Sequence, residues 1–88
     1  MNNASIIPMV RHHVMKRPEQ MTMGDRVRQV REDRGLTITD LAAMSGLDRT
    51  SVSAIELSKR SGSIWSLAQI AKSLDVSLDY LVGLSNNR

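Results

Sequence analysis

The stretch GLDRTSVSAIE, residues 46–56, sets an arginine and a threonine directly after a carboxylate that can cap a helix. Arg49 carries a planar fork of donors and Thr50 a hydroxyl with a methyl, and both stand at the N-terminal end of any helix that Asp48 starts. Such side chains can contact the edges of bases, or simply solvate a short surface helix. Val52 and Ile55, three residues apart, turn inward on a helical wheel and leave Arg49, Thr50, Ser53 and Ala54 over the exposed and flanking sides. Just beyond, Ser58, Lys59, Arg60 and Ser61 gather hydroxyl and cationic donors into one loop, a chemistry suited to phosphate oxygens.

Other chemistries are poorly supplied. The chain has no cysteine, which removes disulfides, thiolate nucleophiles and thiolate-held metals. His12 and His13 are the two histidines, and without a spaced carboxylate cluster they make a poor metal site, so no metal and no cofactor are expected. No glycine-bounded nucleophile turn and no phosphate-cradling glycine loop accompanies them, which argues against an enzyme. Twelve Lys and Arg oppose nine Asp and Glu, a formal charge of +3. The excess lies in the first half, where Arg11, Lys16, Arg17, Arg26, Arg28, Arg31 and Arg34 outnumber Glu19, Asp25, Glu32 and Asp33. That bias permits polyanion binding without demanding it. Neither a signal peptide nor an apolar run long enough for a membrane span is visible, and a cytoplasmic location without membrane contact is expected.

These residues need elements to position them, and 88 residues allow one small domain. Residues 1–21 hold both prolines and no sustained period, so they read as an N-terminal arm. From Thr22 the pattern is helical and no stretch reads as a strand. Thr22 with Asp25, and Thr37 with Asp40, are spaced as capping boxes. Asp48, Ser63 and Ser77 can cap three further helices, and Gly35, Gly46 and Gly83 can stop three of the five. The apolar faces would be Val27 and Val30, then Leu41 and Met44, then Val52 and Ile55. The fourth helix offers Ile64, Leu67, Ile70, Ala71 and Leu74, and the fifth Leu78, Leu81 and Val82. From these faces and the connecting residues the expected core is Val27, Val30, Leu36, Leu41, Leu47, Val52, Ile55, Leu67, Ile70, Leu74, Val76 and Leu81, in an all-α, compact five-helix domain over residues 22–83. Residues 84–88 read as a frayed C-terminal tail. Only Gly46 to Asp48 separate the second and third helices, with Leu47 free to plug their angle, which is the sequence form of a helix-turn-helix.

At this point the chain resembles the Cro/C1-type (XRE-like) helix-turn-helix regulators. The resemblance rests on GDRVRQVREDRGLTITDLAAMSGLDRTSVSAIELSKR followed by SIWSLAQIAKSLDVSLDYLVG and covers residues 22–83. It implies a repressor-like DNA-binding fold whose helix 48–57 enters the major groove of double-stranded DNA. It further implies base contacts from Arg49, Thr50 and Ala54, and phosphate contacts from Ser53, Ser58, Lys59 and Arg60, with Arg26 and Arg28 as helpers. It pairs Arg31 with Glu56, a structural ion pair tying the first helix to the third. The chain departs from the family pattern at Ile38, where glutamine is common, and at Leu57-Ser58, where Arg-Gly is common. The glycine-led turn is similar both to phage-type repressors and to controllers of restriction-modification genes.

A lone domain of this size reads few base pairs, so a homodimer on a palindromic site is expected. Trp65 and Leu84 are the candidate dimer contacts, left over once the core is assigned. Arg11, Lys16 and Arg17 are the candidate arm contacts to phosphate. Ile6, Ile7, Met9, Val10, Val14 and Met15 instead suit a protein partner for the arm, and an antitoxin-like protein-binding module is the competing reading.

Overall fold

The computed structural model describes residues 16–88. A 3-10 turn at Pro18–Gln20 leads into five helices: α1 Met23–Asp33, α2 Ile38–Ser45, α3 Arg49–Glu56, α4 Ile64–Leu74 and α5 Leu78–Val82. No strand occurs among the described residues. Every helix begins where a short polar side chain can replace the missing backbone acceptor. Thr22, Thr37, Asp48, Ser63 and Ser77 accept from the N–H of Asp25, Asp40, Ser51, Ser66 and Tyr80 respectively. The two threonine caps are reciprocal, because Asp25 and Asp40 accept in return from the N–H of Thr22 and Thr37. A cap of this kind contributes about 1 kcal/mol, a large share for helices of five to eleven residues.

The stops are mixed. Gly46 ends α2 in the left-handed region at φ 73°, which turns the chain sharply into α3. α4 instead ends on Asp75, a non-glycine residue at φ 57° that no glycine or proline signal announces.

The core sits where α2 packs on both α3 and α4, with α1 lying across α3, α4 and α5. Val27, Val30, Leu41, Val52, Ile55, Leu67, Ile70, Leu74, Val76 and Leu81 are buried as their spacing requires. Leu36 and Leu47 are only partly buried at the edge of this cluster, and Ala42, Ala71 and Tyr80 complete it. Three residues read as part of apolar helix faces lie outside the core: Met44 on α2 is 52 % exposed, Ile64 on α4 69 % and Val82 on α5 41 %. All occupy helix ends, Ile64 at the first position of α4, Val82 at the last of α5 and Met44 one residue before the last of α2, where helical phase constrains a side chain least.

Residues 84–88 are not frayed. Arg88 closes an ion pair with Asp33 of α1 at 2.7 Å and sets its guanidinium 5.6 Å from the Tyr80 ring centre. The Arg88 carbonyl also accepts from the N–H of Ser77. Arg26 approaches the same ring at 5.1 Å and is 5 % exposed, so it belongs to the interior rather than to a phosphate-facing surface. No helix among the described residues is long and apolar enough to cross a membrane.

Candidate nucleic-acid interface

α3 is short, and the way it is held decides what it can present. Val52 and Ile55 bury their side chains completely or nearly so, which fixes the inward stripe. Behind them α1 comes unusually close. A Cβ added to Gly24 would overlap the carbonyl oxygens of Ile55 and Glu56, so only glycine allows this approach. At the same junction Arg31 donates from Nε to Glu56 Oε2 at 2.7 Å and from Nη2 to Oε1 at 3.0 Å. Its Nη1 donates to the Leu36 carbonyl at 2.7 Å. The guanidinium fork thus joins α1, the entry to α2 and the end of α3 in one planar arrangement. Both side chains are buried. The hydrogen bonds from Arg31 to Glu56 raise the arginine's proton affinity and, with the carboxylate's charge, outweigh the cost of burial.

With its back fixed, α3 turns a different face outward. Arg49 and Thr50 are exposed and Ser53 is half-buried on the side opposite the core. The cap on Asp48 holds them at the helix start. Hydrogen bonds from Ser51, and the nearby charge of Arg60, keep the Asp48 carboxyl below the ordinary 3.8. The loop after α3 folds back on it. The N–H groups of Lys59 and Arg60 both donate to the Ala54 carbonyl, at 2.9 and 3.4 Å. Ser58 makes the reversal at φ 60°, the conformation that glycine adopts freely, and its hydroxyl donates to Thr22 Oγ1 at 3.2 Å. The family's usual glycine at this position therefore matches a real backbone requirement.

A groove of about 760 Å³ runs along this face. It is lined by the polar and cationic Arg49, Thr50, Ser53, Lys59 and Arg60 together with the apolar Ile38, Ala54 and Leu57. The candidate base-reading and phosphate residues are thereby brought together, with two qualifications. Ala54 is 9 % exposed, so it offers the groove little more than clearance. Ser58 faces α1 through its hydroxyl and is absent from the groove lining. A second groove, of about 330 Å³, shares Ile38, Ser53 and Leu57 and continues toward Arg28 and Glu32.

The other candidates lie apart from this face. Lys16 is paired with Asp25 at 2.8 Å and Arg17 with Glu19 at 3.5 Å, which ties the end of the arm to local carboxylates. Burial tends to raise the Asp25 pKa, but hydrogen bonds from Lys16 and Thr22 bring it below 3.8. Arg11, His12, His13 and the apolar residues of the arm lie outside the described residues. Trp65 and Leu84 are exposed at 70 % and 78 %. Among the described residues no cluster of His, Asp or Glu could hold a metal ion.

Sequence reasoning passed over Gly24 and the meeting of Ile38 with Leu57. A glycine in the first turn of a helix reads as a weakness until a second helix is known to touch it. The two apolar residues are too far apart in sequence to suggest a shared groove.

Comparison with known proteins fits this geometry. A helix-turn-helix family profile matches residues 27–81. The P22 c2 repressor, solved in complex with a synthetic operator, superposes with a TM-score of 0.69 at 28 % identity, over 72 % of this chain and 96 % of that one. The restriction-modification controller protein C.AhdI from Aeromonas hydrophila is 36 % identical over 67 % of this chain and 89 % of its own, with a TM-score of 0.65. SinR, the master regulator for biofilm formation, in complex with DNA, gives 31 % identity, 68 % and 97 % coverage and a TM-score of 0.65. No curated protein matches the sequence. With the profile running from α1 into α5 and repressor domains superposing on the same helices, the chain belongs to the Cro/C1-type (XRE-like) helix-turn-helix family.

Proposed function

We propose that the protein is a sequence-specific double-stranded DNA-binding transcriptional regulator that places α3 in the major groove. The observation that carries this reading is the outer face of α3, where Arg49 and Thr50 stand exposed at the helix start and line one groove with Lys59 and Arg60. Arg49 is the main discriminator, its fork suited to guanine O6 and N7, a contact that contributes about 1–3 kcal/mol against a wrong pair. Thr50 adds a hydroxyl or methyl contact to a base edge, and Ala54 leaves clearance for the duplex. Ser53, Lys59 and Arg60 bind phosphates and set the register. Ser58 assists through its backbone position.

The domain acts as a homodimer on a palindromic operator, two copies of α3 spaced by one helical turn of about 34 Å. Trp65 and Leu84, with Ile64 beside Trp65, supply the pairing surface. They are large apolar side chains left exposed by a core complete without them. Related proteins support the DNA assignment, since the c2 repressor and SinR are each described in complex with operator or DNA.

Fluorescence anisotropy with selected and random duplexes over a salt series tests this. Arg49→Ala should flatten sequence preference, by roughly 5- to 150-fold at the guanine it reads. Lys59→Ala should weaken all duplexes alike and lower the salt slope by about 1. Folded protein that selects no duplex and binds none in a salt-dependent way would overturn the reading.

A further inference from the structure

The two departures from the family pattern, remote in sequence, meet on the same surface. Ile38 begins α2 and Leu57 caps the end of α3, yet both line each of the two grooves beside α3. Thr50, Ala54 and Leu57 fall at i, i+4 and i+7, so one stripe of α3 runs from a hydroxyl to a small and then a large apolar group. Leu57 is 55 % exposed and takes no part in the core cluster, whereas Ile38 is packed against its edge.

Leu57 is also rigidly presented. Its N–H donates to the Ser53 carbonyl at 3.0 Å, and the next three residues are tied back to Ile55 and Ala54 by their own N–H groups. An exposed leucine on a fixed backbone, sharing its groove with Arg49, Lys59 and Arg60, cannot answer a phosphate. Those cations draw a polyanion over the groove all the same. On the major-groove edge of DNA the apolar group available to such a side chain is the C5-methyl of a pyrimidine, which thymine carries and unmodified cytosine lacks.

We propose that Leu57, with Ile38 lining the same groove, is a specificity-determining residue that reads a pyrimidine C5-methyl, that of thymine or of 5-methylcytosine, at the C-terminal end of α3. Arg49 then reads hydrogen-bonding edges at one end of the helix while Leu57 reads an apolar one at the other. This inference rests on the docking of α3 in the major groove. It adds a second specificity position, chemically unlike the first, where the substituted residues have removed hydrogen-bonding capacity.

The test starts from a duplex selected from a random palindromic library by the full chain. Each thymine is replaced in turn by deoxyuridine, which removes only the methyl, and each cytosine by 5-methylcytosine, which adds it. One thymine per half-site should lose about fourfold in affinity on replacement, the value of one buried methyl, or one cytosine should gain as much on methylation. Thymine sensitivity identifies the base itself, and a gain confined to methylated cytosine identifies the modified one. Leu57→Ala, whose melting point should match wild type because the side chain is outside the core, should abolish that difference and keep the preference set by Arg49. Insensitivity of wild type to every replacement, or equal sensitivity in Leu57→Ala, overturns the inference and leaves the DNA-binding reading intact. Failure to select any duplex overturns both.

Discussion

The inner and outer faces of α3 are made in opposite ways. The inner face is closed: Val52 and Ile55 are sealed in the core, Gly24 brings α1 into backbone contact, and Arg31 grips Glu56 with two hydrogen bonds and Leu36 with a third. The outer face is open and sparse, a row of side chains over a groove. The contrast teaches where each kind of information resides. Orientation is set from behind by groups buried in the core or paired with one another, and on the proposed docking selectivity falls to the exposed side chains Arg49 and Thr50. Substitutions on the inner face should therefore register as folding defects. Those on the outer face should change binding at nearly constant stability, within about 0.5 kcal/mol.

The largest effect expected is from Arg31→Ala. It leaves the Glu56 carboxylate buried without its cation, at a cost of about 3–5 kcal/mol. Thermal melting followed by circular dichroism should show a fall of at least about 12 °C, given the steep dependence in domains this small. A variant that melts like wild type yet loses DNA selectivity would break the division between the faces.

Gly24→Ala comes next. Alanine is the better helix former by about 1 kcal/mol, so propensity alone predicts a gain. The overlap with the Ile55 and Glu56 carbonyls predicts instead a net loss of about 1–3 kcal/mol, because α1 must move away from α3. The sign of the change in a urea titration decides between them.

Ser58 lies at the seam between the faces. Its left-handed backbone costs about 1–2 kcal/mol in a non-glycine residue. Ser58→Gly relieves that and adds about 0.5–1 kcal/mol of chain entropy to be lost on folding. It also gives up the hydroxyl contact to Thr22. A net stabilisation below about 1 kcal/mol is expected, read as a higher urea midpoint at unchanged slope. A loss of stability would mean that the Thr22 contact outweighs the backbone strain.

The smallest effect is acid sensitivity of the caps. Asp40 and Asp48 are held below 3.8 by hydrogen bonds from Thr37 and Ser51 respectively. A carboxylate whose pKa is lower folded than unfolded contributes stability above the unfolded value and loses it as pH falls through the folded one. Between pH 7 and about 5 these groups therefore contribute fully and should leave the melting temperature independent of pH, and their contribution should be lost below about 4. Asp40→Asn should remove part of that decline. An unchanged slope in this variant would place the acid sensitivity elsewhere.

Much of this was legible in the residue order, for a local reason. Five caps and the glycine turn at Gly46 are written within three or four residues of the groups they satisfy, and the helical period of Val27, Val30, Leu67, Ile70 and Leu74 names the core directly. The Arg31–Glu56 pair was legible through family resemblance. What escaped depends on partners distant in sequence. Burial of Arg26 needs the Tyr80 ring, the docking of Arg88 needs Asp33, and the glycine at 24 needs the carbonyls at 55 and 56. Met44, Ile64 and Val82 share an apolar spacing yet stay exposed for the complementary reason, since a spacing rule assigns a face without knowing whether a neighbouring helix extends far enough to cover it. In the candidate site, the polar residues at 49, 50, 59 and 60 were readable as types, whereas the groove they share with Ile38 and Leu57 emerged only from the packing of α2 on α3.

The exposure of Trp65 has a spectroscopic consequence. It is the single tryptophan of the chain, and the single tyrosine, Tyr80, lies buried beside two guanidiniums. Indole emission in the isolated domain already comes from an aqueous setting, so unfolding should shift it little. A blue shift on raising protein concentration would instead report that the start of α4 has been covered, giving a label-free signal for assembly that is blind to denaturation.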